Sequence, residues 1–179
     1  MYPEVDQQDW RTTWAERPQL FRNLDGVKFK EVPPATGSGL ADVITGRGAA
    51  CGDLFNDGYI DMVINNLDSK PTLLRNVVKN DNHWLTLKLI GGPKSPRDAI
   101  GAKVFLTGGG VRQRADALSG GSYGSSSDQR VHFGLGSATM VESIEIHWPS
   151  GKKRSITVPG VDRIFTIEEG KTVTAASKK

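Results

Sequence analysis

Three aspartates recur at every fourth position of one short stretch, at Asp53, Asp57 and Asp61. Gly58 lies among them, and glycine allows the left-handed backbone conformation that a tight loop requires. Such a loop is typical of calcium sites, because Ca²⁺ takes roughly six to eight oxygen ligands from carboxylates and backbone carbonyls. The spacing therefore predicts a calcium loop that opens a β-strand, with the three aspartates as side-chain ligands and Tyr59 as the main-chain ligand.

Phe55 departs from this pattern, because it occupies the third position of the loop, where Asp or Asn would supply another oxygen. Affinity in such loops follows the number of charged ligands, so this substitution weakens the expected site. The alternative is a polar turn whose carboxylates are solvated or accept hydrogen bonds from backbone amides. Both interpretations stay open, and Ca²⁺ is the one cofactor that the sequence predicts.

Catalytic chemistry is less well supported. The histidines are His83, His132 and His147, and a serine-rich loop (residues 119–127) precedes Asp128. A catalytic triad is defined by geometry and not by composition, and a loop of turn-forming residues is the simpler interpretation. We predict that the protein is not an enzyme. An accessory domain of a secreted enzyme is an alternative that requires His132 and Asp128 to converge with a serine.

Binding is the class of function that the loops favour, because long loops on a rigid scaffold usually carry recognition. The candidate ligand-binding residues are Arg97, Tyr123 and Arg130, in two loop segments (residues 91–99 and 119–130). Arg97 either pairs locally with Asp98 or binds an acidic group. Tyr123 is an aromatic in a turn, and stacking of its ring on a sugar would make the chain a carbohydrate-binding module.

Composition narrows the class further. The chain has 179 residues with 21 glycines and no long amphipathic run, which favours short strands joined by turns. Residues 1–82 carry a net charge of −3 and residues 83–179 a net charge of +6. The positive charge of the second half is too dilute to predict nucleic-acid binding. Cys51 is the single cysteine, so no internal disulfide forms. No apolar stretch is long enough to span a membrane, and the first residues lack a signal-peptide pattern.

An internal echo indicates a repeat. The segment Pro18-Gln19-Leu20-Phe21-Arg22-Asn23 returns as Pro71-Thr72-Leu73-Leu74-Arg75-Asn76. An echo at this interval is typical of repeat architectures in which one unit is too small to bury its own sheet. Residues 1–80 therefore contain the tail of one repeat and most of another, a partial propeller-like unit.

The pattern changes after residue 80 to an alternation of period two, which is typical of β-strands with one buried face. The apolar sets are Leu85, Leu87 and Leu89; Ile100, Ala102, Val104 and Leu106; Val131, Phe133 and Leu135; and Ile144, Ile146 and Trp148. About seven strands at regular spacing predict an antiparallel β-sandwich or barrel over residues 81–170, followed by a loose tail (residues 171–179). Trp84 and Trp148 are expected at the core or its rim. The predicted fold class is all-β, a partial propeller-like repeat followed by an antiparallel β-sandwich.

Two resemblances follow from these residues. Residues 53–66 with the trailing Pro71-Thr72-Leu73-Leu74-Arg75-Asn76 resemble an FG-GAP repeat, the calcium-loop blade of integrin-type propellers. Residues 82–169 resemble the ASPIC/UnbV domain family (cartilage acidic protein-like). The matching segments are Asn82-His83-Trp84-Leu85, Arg97-Asp98-Ala99-Ile100-Gly101-Ala102-Lys103-Val104, Val131-His132-Phe133-Gly134-Leu135-Gly136 and the run from Val141 to Gly151.

The resemblance implies a secreted or cell-surface location, periplasmic or extracellular, with calcium in the repeat loops and a role in adhesion or ligand binding. It implies no catalytic activity. The expected partner is a protein or a glycan at the cell surface, with no nucleic acid and no membrane span. Members of this family are generally longer, so the chain resembles their C-terminal portion.

Overall fold

The structure is a computed structural model that describes residues 14–24 and 26–175. Its described residues form fifteen β-strands and one short 3-10 helix, Gly39–Ala41, so the all-β prediction is confirmed. Residues 1–13 of the predicted repeat segment and residues 176–179 of the predicted tail lie outside the described residues.

The repeat segment forms two small sheets. Strands β1 (Leu20–Leu24) and β2 (Lys28–Val32) form a two-stranded antiparallel hairpin. Strands β3 (Gly46–Gly52), β4 (Asp61–Asn66) and β5 (Thr72–Leu74) form a three-stranded antiparallel sheet, which we call the repeat sheet. The two copies of the echo thus form corresponding strands, β1 and β5.

Neither small sheet buries much apolar surface. The hairpin leaves Leu20, Phe21 and Phe29 exposed, and within the repeat sheet Ile64 is the only apolar side chain that is fully buried. Apart from Arg47, β3 is built from small residues, Gly, Ala and Cys, which have little side chain to pack. The repeat segment therefore depends on neighbours outside itself for stability.

Residues 83–175 form the predicted sandwich, which has two four-stranded sheets. In spatial order, the first sheet contains β11 (Val131–Gly136), β6 (His83–Ile90), β14 (Arg163–Glu168) and β15 (Thr174–Ala175). The second contains β13 (Lys153–Ile156), β12 (Val141–His147), β7 (Lys103–Gly108) and β8 (Val111–Asp116). Two further short strands, β9 (Gly121–Ser122) and β10 (Ser125–Ser126), pair inside the serine-rich loop.

The core lies between these two sheets. The alternating side chains that the sequence predicts to face inward are buried, with Ile100 the single partly exposed member. The buried ones are Leu85, Leu87, Leu89, Ala102, Val104, Leu106, Val131, Phe133, Leu135, Ile144, Ile146 and Trp148. Phe165 and Ile167 of β14 belong to the same cluster, as do Ala99, Ala117 and Ile156. Trp148 is therefore a core residue, as expected.

Two details differ from the prediction. The sandwich is not wholly antiparallel, because β6 and β14 pair in parallel, with Leu85 opposite Arg163 and Leu89 opposite Ile167. Alternation reports which face is buried and not the direction of the neighbouring strand, so the sequence pattern contained no signal for this pairing. The predicted tail is also shorter than expected, since β15 pairs with β14 through Thr174 and Ala175.

Candidate functional site

The acidic loop (residues 53–61) connects β3 to β4, and its carboxylates face the backbone. Asp53 accepts hydrogen bonds from the amides of Asp57 (3.0 Å) and Gly58 (2.9 Å), one on each carboxylate oxygen. Asp61 accepts from the amides of Leu54 (3.3 Å) and Asn76 (2.9 Å), again one on each oxygen. Both carboxylates are almost fully buried, at 2% exposure, and both are satisfied within the protein.

The third aspartate is half-exposed and pairs outward. Asp57 accepts a hydrogen bond from the amide of Tyr59 (3.1 Å), and its other oxygen lies 3.5 Å from Nη2 of Arg75. The guanidinium of Arg75 also lies over the Phe55 ring, with Cζ 4.1 Å from the ring centroid. The predicted ligand positions are therefore brought into one loop, and each of the three carboxylates already has a partner.

This arrangement tests whether the residues fit a calcium ion. Nowhere in the described residues do three or more His, Cys, Asp or Glu side chains group in a way that could hold a metal ion. As arranged, the loop does not fit Ca²⁺, because its oxygens face backbone amides and a guanidinium. The hydrogen bonds are those of the polar-turn alternative, and calcium binding stays a prediction.

The serine-rich loop lies along β3, where it joins the sandwich to the repeat sheet. Ser125 Oγ donates to the carbonyl of Ala49 (2.8 Å), and Ser122 Oγ accepts from the amide of the same residue (3.1 Å). Ser127 Oγ accepts from the amide of Cys51 (3.1 Å). The edge of β3 is thus satisfied by serine hydroxyls, which explains why this loop is so rich in serine.

Arg130 extends this junction to the acidic loop. Its guanidinium donates to the Asp53 carbonyl (2.7 Å), to Asn56 Oδ1 (2.6 Å) and to Asp128 Oδ2 (2.6 Å). A fork of donors on three acceptors is a geometry that arginine favours. The predicted ligand-binding residue Arg130 is therefore engaged in holding the acidic loop against the sandwich.

The other two predicted ligand-binding residues lie apart from this junction. Tyr123 is 79% exposed at the turn between β9 and β10, as the sequence predicts for an aromatic in a turn. Arg97 is exposed, and among the described residues it makes no ion pair with Asp98, so the local pair considered from the sequence is absent. Neither residue lines the cleft described below.

A different set of side chains lies on the outer face of the first sheet. Because Leu85, Leu87 and Leu89 face the core, the intervening Trp84 and Lys88 face outward from β6. The pairing places three more side chains on this face: His132 and Ile164 opposite Thr86, and Thr166 opposite Lys88. Trp84 and His132 stack with centroids 6.0 Å apart and planes at 17°.

Trp84 therefore lies outside the core, contrary to the expectation that it belongs to the core or its rim. A Cβ added to Gly58 would come within 2.1 Å of the Trp84 indole nitrogen, so the acidic loop rests directly on this ring. Asp162 holds the backbone here, since its carboxylate accepts from the Trp84 amide (3.1 Å) and lies 2.7 Å from His83 Nδ1. The signal was available in the sequence, because Trp84 has the opposite parity to the three leucines of its strand.

His132 is the titratable group beneath the acidic loop. Burial lowers the pKa of its imidazole below the ordinary value of 6.5, while the nearby Asp53 carboxylate opposes that shift. His132 is therefore neutral at pH 7, and its Nδ1 lies 2.8 Å from Thr86 Oγ1. In the described part of the chain no hydrogen bond joins His132 or Asp128 to a serine hydroxyl, so the contacts of a triad are not formed there.

An open cleft of about 1080 Å³ lies between the acidic loop and this outer face. Phe55, Asn56 and Asp57 of the loop form one wall. The other residues come from the sandwich: Trp84, Lys88, Leu89, Asp98, Ser127, Asp128, Gln129, Arg130, Asp162, Arg163, Ile164 and Thr166. The lining combines two aromatic rings with charged groups of both signs. Lys88 and Asp98 are exposed, and neither makes an ion pair with another described residue.

Most of the sandwich, which forms one wall of this cleft, is similar to a known protein family. Residues 92–174 match the family model of ASPIC and UnbV. The match covers most of the sandwich, including every strand from β7 to β14, and it agrees with the resemblance that the sequence indicates. No curated protein matches the chain. The FG-GAP resemblance of the repeat segment stays a prediction. No described helix is long and apolar enough to cross a membrane.

Proposed function

We propose that this chain is a non-enzymatic binding module, secreted or at the cell surface, whose ligand lies in the cleft between the acidic loop and the ASPIC/UnbV domain. The observation that carries the proposal is the cleft itself. It is lined by aromatic, cationic and anionic groups, the mixture that binding sites use to combine apolar contact with orientation. The resemblance to ASPIC/UnbV proteins supports an adhesion or ligand-binding role in the periplasm or outside the cell.

Within this proposal, Trp84 supplies a flat apolar surface and Lys88 supplies a free ammonium group on the same strand. Most other charged groups of the lining are already paired, since Asp128 binds Arg130 and Asp162 lies against His83. Such pairs shape the walls, whereas Lys88, Asp98 and Arg163 make no ion pair with another described residue and are left to contact a ligand. We assign no role to calcium in this binding.

A carbohydrate ligand is the second candidate, and one observation favours it. Phe55 and Trp84 both line the cleft, and Phe55 is 46% exposed. Aromatic rings beside polar groups suit a sugar, which has an apolar ring face and a rim of hydroxyls. The sugar-binding aromatic is then Trp84 in place of the Tyr123 expected from the sequence.

The test compares Trp84→Ala, Lys88→Glu and Tyr123→Ala with the wild type on a panel of purified matrix proteins and a glycan array. We expect a bound ligand whose affinity falls about tenfold or more in the first two variants, a loss of about 1.4 kcal/mol. Tyr123→Ala should bind like the wild type, because Tyr123 does not line the cleft. Circular dichroism of each variant checks the fold.

Other outcomes are equally informative. A ligand lost by Tyr123→Ala but kept by Trp84→Ala and Lys88→Glu would move the site to the serine-rich loop. Binding to proteins but to no glycan would discard the carbohydrate candidate alone. Chemical turnover of a bound ligand would contradict the non-enzymatic role.

A further inference from the structure

Arg75 occupies the side of the acidic loop where the oxygen pattern is broken. Phe55 stands where a metal ligand was expected, and the Arg75 guanidinium lies 4.1 Å above its ring centroid. The face of an aromatic ring attracts a cation, so Phe55 favours a bound guanidinium while contributing nothing to a metal. The same guanidinium lies 3.5 Å from the Asp57 carboxylate.

The chain delivers Arg75 to this position through the repeat sheet. β5 ends at Leu74, which pairs with Met62 of β4, and Arg75 follows immediately. The next amide, that of Asn76, donates to the buried Asp61 carboxylate. Two consecutive residues thus contact two aspartates of the loop, one through a charge and one through a backbone N–H.

Arg130 also contacts the loop, where it donates to the Asp53 carbonyl and to Asn56 Oδ1. Two guanidiniums therefore contact the loop that holds the three carboxylates. A further divalent cation would be repelled by both of them, and it would have to displace amide hydrogen bonds to Asp53 and Asp61.

We propose that the acidic loop is closed by Arg75 as its internal cation, and that it folds and stays folded without a metal ion. In this view, the change to phenylalanine at position 55 and the stacked arginine form one unit. Such a loop keeps the shape of a calcium loop but does not respond to calcium. The proposal is independent of what the cleft binds.

The first test titrates calcium into the metal-stripped wild-type protein by calorimetry and follows its melting temperature with Ca²⁺ or EDTA. A calcium ion in hundredfold excess over its dissociation constant would raise the melting temperature by several degrees. We expect no saturable heat of binding and the same melting temperature in both conditions. A one-site isotherm that Asp57→Asn abolishes would overturn the proposal.

The second test asks whether calcium binding can be restored. In the double variant Phe55→Asp/Arg75→Gln the internal cation is removed and the missing oxygen is supplied, so we expect its melting temperature to rise by several degrees with Ca²⁺. The matched control Phe55→Leu/Arg75→Gln loses the same stack without gaining a carboxylate and should show no calcium response. A calcium response of equal size in both would contradict the role assigned to position 55.

A third comparison uses the repeat echo. Arg22 is the counterpart of Arg75 in the first copy, but it lies on an exposed hairpin strand and makes no ion pair with another described residue. Arg75→Ala should lower the melting temperature in the absence of metal, whereas Arg22→Ala should leave it unchanged. Equal effects of the two substitutions would show that Arg75 has no special role in the loop.

Discussion

Gly58 has two functions at the residue scale, because it both turns the acidic loop and lets that loop rest on Trp84. Its φ of +87° lies in the left-handed region, where a side chain is strained. Its Cα also approaches the indole so closely that a Cβ would overlap the ring nitrogen at 2.1 Å. The sequence indicates the first requirement through the loop pattern, but the second depends on a strand more than twenty residues later in the chain.

Gly58→Ala should therefore destabilise the protein through both effects, by about 3 kcal/mol in total. Gly120→Ala is a matched control, since Gly120 has nearly the same φ of +89° and nothing lies within 4 Å of an added Cβ. The control should lose about 1 kcal/mol, the backbone cost alone. Urea unfolding measures both variants. Equal losses would mean that the contact between Gly58 and Trp84 does not exist in solution.

The acidic loop shows which part of the predicted metal site could be inferred from the sequence. Spacing alone indicates that Asp53, Asp57 and Asp61 share a loop, and the structure brings them together. Spacing cannot indicate whether a carboxylate faces the centre of the loop or its own backbone. Nor could it indicate that Arg75, after the two intervening strands β4 and β5, returns to the Phe55 ring. Both depend on tertiary geometry.

At the scale of elements, the serine-rich loop covers the edge of β3. Its hydroxyls bond to the backbone of β3, and the amide of Asp128 donates to the Cys51 carbonyl (2.8 Å). From its composition, we predicted that this segment is a loop with turns and that it carries ligand recognition. A serine that pairs with a distant strand looks the same in sequence as a serine that faces solvent, so this role could not be read from composition.

Arg130→Ala tests the junction between the repeat sheet and the sandwich. The substitution removes donors to the Asp53 carbonyl, Asn56 and Asp128, and it should weaken the local stability of the repeat sheet by about 2 to 3 kcal/mol. Hydrogen exchange should accelerate in β3 and the acidic loop while β12 is unaffected. Arg114→Ala is the control, because Arg114 pairs locally with Asp116 and should leave exchange of β3 unchanged. Equal acceleration of hydrogen exchange in β3 and β12 of the Arg130→Ala variant would contradict a local role for Arg130.

The strands of the sandwich were the elements best predicted from sequence. Their alternation separates buried from exposed side chains so clearly that most of the residues expected to face inward are buried. The order of the strands within each sheet was not predicted, because neighbours such as β6 and β11 are brought together by topology and not by any local pattern. The outer face that forms the cleft follows from the same alternation, once Trp84 and Lys88 are assigned to the side opposite the leucines.

At the scale of the whole molecule, stability is distributed unequally. The hydrophobic cluster lies entirely within residues 85–167, whereas the hairpin β1–β2 is exposed along almost its whole length. Local opening costs little where few apolar side chains are buried. The protein therefore consists of a sandwich with a buried core, a repeat sheet that packs against the serine-rich loop of the sandwich, and a hairpin that makes few packing contacts with the other described residues.

Native-state hydrogen exchange should reproduce this order. We expect amides of β6, β7 and β12 to exchange slowly, with opening free energies close to that of global unfolding, and amides of β1 and β2 to exchange with almost no protection. β3 and β4 should fall between these groups, because their support comes from the serine-rich loop. Protection of the hairpin equal to that of β12 would show that its support is greater than its contacts indicate.

The parallel pairing of β6 with β14 has a consequence for how the chain acquires its structure. β6 is the first strand of the sandwich to be synthesised, and both of its partners, β11 and β14, are made much later. Until β14 has left the ribosome, one edge of this very apolar strand has nothing to pair with. Distant pairings also slow refolding, because a long stretch of chain must be closed before the contact is gained. Nascent chains that end before residue 163 should thus be the ones most prone to aggregate and most dependent on chaperones.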